Sequence, residues 1–230
     1  MNRLMLSGLL TVLVSCSSTN TRMSLPEKVS PDVYEVLLEN EFIKILKVSF
    51  APGQSDNMHD HYPSTFHVFE GGKIRVTMPD GTVNEIEIPT GATGYNEIGV
   101  RHQVQNIGDQ PIEVLLIEHK NVDSLLTLDP SDDLSPEVVF PDKCDVLFEN
   151  EVLKVLESTL PVGESNAMHE HGAYAVYFSN GGNIEITTPD GNTQEKAFAD
   201  GAVGFSEVPV RHKAKNIGVT NIKTLIMQYK

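Results

Sequence analysis

Along the body of the chain, apolar and polar residues alternate with a period close to two. Phe42-Ile43-Lys44-Ile45-Leu46-Lys47-Val48 and Lys73-Ile74-Arg75-Val76-Thr77-Met78 are the clearest runs, and both read as strands. Gly71-Gly72, Pro79-Asp80-Gly81 and Gly108-Asp109 punctuate them as turns. No stretch of ten or more residues after residue 30 carries helical periodicity. Short strands at intervals of about ten residues predict an all-β chain built as sandwiches or small barrels.

The pattern is written twice. Pro31-Asp32, Leu37 and Glu39-Asn40-Glu41 return as Pro141-Asp142, Leu147 and Glu149-Asn150-Glu151. Pro79-Asp80-Gly81 and Asn106-Ile107-Gly108 return as Pro189-Asp190-Gly191 and Asn216-Ile217-Gly218. About 35 of about 90 positions are identical at this constant shift without a gap, far beyond chance. Two copies of this length are two duplicated domains rather than a solenoid, expected over 31–120 and 141–230. Residues 121–140, rich in Asp, Pro and Ser, are the expected linker.

The start of the chain reads differently. Arg3 precedes a short apolar run, Leu4 to Ser15, too short to span a bilayer, which is the layout of a signal peptide. Leu13-Val14-Ser15-Cys16 resembles the lipobox of bacterial lipoproteins, whose Cys carries the lipid. Residues 1–16 are therefore expected to be a leader ending in the anchor Cys16, and 17–30 a polar tether. The one arginine excludes a twin-arginine signal, so the chain is expected to cross unfolded and to fold in the cell envelope, periplasmic or at the outer surface.

Composition narrows the function. At 40% hydrophobic and 21% charged the 230 residues are ordinary globular stuff, and a net charge of -15 argues against a nucleic-acid partner. Two cysteines supply no disulfide framework, and Cys144, with no cation or His near it in sequence, reads as a buried, inert thiol.

The histidines supply candidate chemistry. Six of the eight fall at equivalent places in the copies: His59, His61, His102 and His169, His171, His212. In a strand, residues i and i+2 share a face with α-carbons roughly 6.5 Å apart. Each His-x-His pair can thus meet a third imidazole from a distant strand, and three neutral imidazoles at about 2.0–2.1 Å make an open metal site.

Both copies resemble cupins. The first motif of that family appears as Gly53, His59-Asp60-His61 and Gly72, and again as Gly163, His169-Glu170-His171 and Gly182. The second appears as Gly91, Gly99, His102 and Asn106, and again as Gly201, Pro209, His212 and Asn216. The resemblance implies two tandem cupin barrels (double-stranded β-helices, or jelly rolls), a bicupin, with a divalent transition metal (iron, zinc, copper or manganese) in one half or in both.

The departures shape the expected chemistry. The family's glutamate ligand falls at Thr65 and Ala175, neither a useful ligand, so the resemblance turns toward three-histidine dioxygenases and away from proton-transfer decarboxylases. Glu97 and Glu207 replace the proline of the second motif. His67, counted two places beyond Thr65, and its counterpart Tyr177 are the expected catalytic or second-shell groups, or else core residues. His119 and its counterpart Tyr229 end the last strands and read as structural. Arg101 and Arg211 are expected to point away from the metal. Two classes of function stay open: a metal-dependent, dioxygenase-like enzyme on a small organic molecule, and a non-catalytic, envelope-tethered small-ligand-binding protein. The membrane enters only through the lipid anchor, and both a monomer and a homo-oligomer are compatible with this reading.

Overall fold

The computed structural model describes residues 23–125 and 134–230. The leader 1–16, its Cys16 and residues 17–22 of the tether lie outside the described residues, as does part of the linker. Each half carries nine strands. The first half has β1 (Tyr34–Glu39), β2 (Ile43–Phe50), β3 (His59–Asp60), β4 (Ser64–Glu70), β5 (Gly72–Thr77), β6 (Val83–Ile88), β7 (Thr93–Asn96), β8 (Arg101–Asn106) and β9 (Ile112–His119). The second has β10 (Cys144–Glu149), β11 (Leu153–Leu160), β12 (His169–His171), β13 (Tyr174–Asn180), β14 (Gly182–Thr187), β15 (Thr193–Phe198), β16 (Val203–Ser206), β17 (Val210–Asn216) and β18 (Ile222–Tyr229).

The strands pair antiparallel into two sheets per half. Orders β1-β2-β9-β4-β7 and β3-β8-β5-β6 recur as β10-β11-β18-β13-β16 and β12-β17-β14-β15. In the first half the sheets close over Leu46, Val48, Phe50, Val104, Ile112 and Leu116. In the second they close over Leu160, Phe178, Ile184, Ala214 and Ile222. The larger sheets are covered on their outer faces too. Ile43, Ile45, Leu115 and Ile117 of the first half pack there against Leu153, Val155, Leu225 and Met227 of the second. That back-to-back contact explains why β2 reads as a nearly continuous apolar run rather than a clean alternation.

Two positions of the histidine motifs prove to be architectural. Gly53 and Gly163 sit at φ 78° and 77°, a turn conformation that side chains resist, just before the His-x-His segments. Asn106 is fully buried: its amide donates to Phe50 O (3.3 Å) and Gln110 O (2.8 Å), and its oxygen accepts from Gly108 N (2.9 Å). Asn216 repeats the arrangement on Leu160 O, Thr220 O and Gly218 N.

The domain edges differ from expectation. Residues 24–30 are part of the first barrel rather than a tether. Ser24 N donates to Asp60 Oδ2 at 2.8 Å, Asp60 N donates to Ser24 O at 2.8 Å, and a short helix α1 (Pro26–Val29) follows. Glu27 of α1 makes a 3.0 Å ion pair with the fully buried Lys44. Its repeat, α2 (Pro136–Val139), sits at the end of the expected linker and pairs Glu137 with Lys154. One physical cause is the fully buried Lys44 on β2, whose nearest carboxylate is Glu27, with Glu39 and Glu118 farther off at 3.7 Å; half-buried Lys154 on β11 takes Glu137 at the matched place.

Candidate metal centre

Register builds the two histidine clusters. His59 on β3 lies opposite His102 on β8, and His169 on β12 lies opposite His212 on β17. His61 and His171, two residues on, turn to the same face, so one nitrogen from each ring of a triad lies within 4.8 Å of the others. A carbonyl only accepts, so the 2.8 Å contacts of His59 Nδ1 with Asn57 O and His169 Nδ1 with Ala167 O fix the proton on Nδ1. Glu118 Oε1 engages His61 Nδ1 at 2.7 Å, and Gln228 Oε1 engages His171 Nδ1 at 3.3 Å. These contacts leave the ε nitrogens as acceptors that converge, as second-shell partners do around ligating histidines. His59 Nε2 and His61 Nε2 are 2.7 Å apart, close enough to share a proton or to be drawn onto one cation.

Burial favours the neutral form of His59, His102, His169, His171 and His212, which is the form that binds metal. It pushes His59 and His212 down to about 4 and His102 to about 3, and lowers His169 and His171 as well. Neither cluster contains a carboxylate. Three neutral imidazoles with open positions fit a divalent transition metal and suit calcium or magnesium poorly.

The surroundings of the two triads differ in charge. In the first half the Tyr34 hydroxyl donates to Asp56 Oδ2 (2.8 Å) and lies 3.2 Å from His59 Nε2. Asp56 also accepts from Val104 N at 2.6 Å, yet its burial raises its pKa to about 6. At the matched positions the second half has Cys144, Asn166 and Gln228 in place of Tyr34, Asp56 and Glu118. Cys144 is buried, with its thiol pushed up to about 12, and is inert as expected. The repeat itself held the clue to Tyr34, Asp56 and Glu118: polar positions that change between otherwise matching copies.

Several expected residues fall elsewhere. His67 and Tyr177 do not face the triads. On β4 the even-numbered Ser64, Phe66 and Val68 line the barrel cavity, while Thr65 and His67 turn to the contact between barrels. Tyr177 is a buried member of that same inter-barrel cluster. His67 Nδ1 is held by Thr93 Oγ1 at 2.8 Å, and Phe69 bridges it to Tyr177 with ring centroids at 5.0 and 5.3 Å. Thr65 and Ala175 share this outward face, so the motif glutamate position is displaced by one residue as well; the inward neighbours are Ser64, Phe66, Tyr174 and Val176, again without a carboxylate.

The remaining expectations hold. His119 is structural: its Nε2 meets Thr65 Oγ1 at 2.9 Å and its Nδ1 meets the Tyr229 hydroxyl of the other barrel at 2.7 Å. Arg101 points outward onto Asp60, with Nη1 and Oδ2 at 2.6 Å, and Arg211 lies 4.0 Å from Glu170. Glu97 and Glu207 are exposed turn residues.

Each triad opens into a cavity inside its barrel. The first, about 190 Å³, runs from His61 and His102 past Tyr34, Phe66, Ile74 and Leu116. The second, about 250 Å³, runs from His169, His171 and His212 past Tyr174, Phe178 and Lys196.

No protein-family model matches the chain, and no curated protein matches it. Solved structures do. AerE from Microcystis aeruginosa superposes with a TM-score of 0.57 at 15% identity, over 86% of this chain and 97% of that one. An oxalate decarboxylase variant from Bacillus subtilis gives 0.58 at 12% identity, over 85% and 71%. The chain has the cupin fold, and its two halves repeat one sheet order. At such identities the likeness speaks for the fold alone. The case for metal in these cupin barrels rests on their own histidines.

Proposed function

We propose that this is a metal-binding bicupin of the cell envelope that acts on a small organic molecule with oxygenase-like chemistry. The observation that carries the reading is the doubled, carboxylate-free triad, one nitrogen from each ring gathered within 4.8 Å of the others at the head of a cavity. A bound divalent ion would supply open coordination positions and, were it iron, copper or manganese, redox chemistry toward dioxygen. His59, His61 and His102 would hold it in the first barrel, and His169, His171 and His212 in the second.

The chain's own groups do the rest. In the first barrel Phe66, Ile74 and Leu116 exclude water and orient an apolar molecule beside the triad. Tyr34 Oη holds a proton shared with Asp56 Oδ2, 3.2 Å from His59 Nε2, where it can be donated to an oxygen developing charge. Leu13-Val14-Ser15-Cys16 supports the envelope location, with the chain anchored by lipid at Cys16.

Dioxygen uptake with neutral phenols and diketones tests this reading on protein loaded with iron(II), copper(II) or manganese(II). Uptake that disappears in His102→Ala is the expected result. No uptake with any of these metals, together with ligand binding that survives chelation, would instead make it a non-catalytic binding protein.

A further inference from the structure

The two cavities are lined from matched positions, and the matched residues differ in one direction. Val48 and Val114, cross-strand partners on β2 and β9, correspond to Ser158 and Thr224 on β11 and β18. Ile86 on β6 corresponds to Lys196 on β15. Lys196 lies across the ladder from Ile184, a buried wall residue of the second cavity, so the two side chains share the inward face. None of the ion pairs among the described residues includes Lys196. Lys196 and His212 line the same cavity.

Charge in the second barrel therefore runs opposite to the first. The first triad is backed by the carboxylates Asp56 and Glu118, and its cavity is walled by valines and isoleucines. The second is backed by neutral amides and faces a free ammonium. A cavity with a lysine in its lining, hydroxyl donors and an apolar far wall suits small anions.

We propose that the second cavity binds a small organic carboxylate, with the anionic end at Lys196 and the hydroxyls of Ser158 and Thr224 on the cavity wall. The apolar body of the ligand packs on Ile184 and on the stacked pair Phe178 and Phe198, whose ring centroids are 4.1 Å apart. The first cavity, with Val48 and Val114 in its lining and Ile86 across the ladder from its wall residue Ile74, takes neutral apolar molecules instead. The inference rests on the reading of the barrels as small-molecule sites, and it divides labour between them.

Benzoate and its neutral analogue benzamide are suitable probes, titrated calorimetrically into the full chain with zinc loaded and with zinc stripped. Zinc content is measured on the same samples. The expected result is one benzoate per chain, weakened about tenfold or more by Lys196→Met, as loss of a charge-assisted hydrogen bond requires. Benzamide binding is unmoved by that substitution, and Ile86→Lys creates a second benzoate site. Lys196 and Ile86 are both exposed, so these variants keep the fold. Equal benzoate affinity in wild type and Lys196→Met, equal binding of benzamide and benzoate, or no benzoate binding each overturns the proposal. Lys196-dependent binding in protein that takes up no zinc would sustain it while removing the metal reading. Zinc uptake with Lys196-independent binding would do the reverse.

Discussion

Stripped of metal, the protein is expected to lose stability steeply as the pH falls from about 6.5 toward 4. Burial holds His59, His119 and His212 at about 4 and His102 at about 3, against 6.5 for an ordinary histidine. A group whose pKa is depressed by folding contributes its stability above the unfolded value and loses it on acidification, because the unfolded chain takes up the proton first. Each such histidine tilts the stability curve by up to about 1.4 kcal/mol per pH unit inside that window. Asp56 works the other way, since folding raises its pKa from 3.8 to about 6, so acid favours the folded form and offsets one histidine. The net slope is on the order of 4 kcal/mol per pH unit, large against the 5–15 kcal/mol that holds a domain together.

Metal changes the outcome. An ion on the ε nitrogens binds the folded state alone and adds stability that grows with its free concentration. The loaded protein is therefore expected to keep its urea midpoint to lower pH than the stripped one. Urea unfolding of both forms at about pH 7, 6 and 5 checks this. A flat response of the stripped protein over that range would mean that the histidines are not buried neutral as described.

A second large effect separates the two barrels. Glu118 gives His61 a charged partner at 2.7 Å, whereas Gln228 gives His171 a neutral one at 3.3 Å. A carboxylate on the far nitrogen raises ligand basicity, and losing such a partner typically weakens metal binding 10–100-fold. Glu118→Gln is thus expected to weaken the first site by that factor, and Gln228→Glu to strengthen the second by a similar one. Lys44 keeps Glu27 at 3.0 Å and Glu39 at 3.7 Å in the first variant, so no buried cation is orphaned. Competition against a chromogenic chelator reads both affinities. Two sites of equal strength, unmoved by the exchange, would show that these side chains do not tune the metal.

Much of this arrangement was legible in the sequence. The duplication, the strand period and the six histidines needed only self-comparison and the geometry of a pleat. His67 and Tyr177 went astray for a definite reason. The turn between His61 and Ser64 resets the alternation, and a shift of one residue sends every side chain to the other face. Hydrophobicity offers no correction on β4 and β13, because one face is buried in the barrel and the other against its twin. Tyr34, Asp56 and Glu118 come from segments without a motif and reach the triad only through the closure of the barrel. The ion pairs Lys44–Glu27 and Lys154–Glu137 likewise became visible only in three dimensions, and with them the edges of each barrel.

The central claim is that the three imidazoles of each half grip one ion. Elemental analysis of the purified protein after exposure to excess zinc and gel filtration tests it most directly. The account predicts two ions per chain for the two clusters, one in either His102→Ala or His212→Ala, and none in the double variant. A content near zero in the wild type, or one that ignores both substitutions, would contradict it.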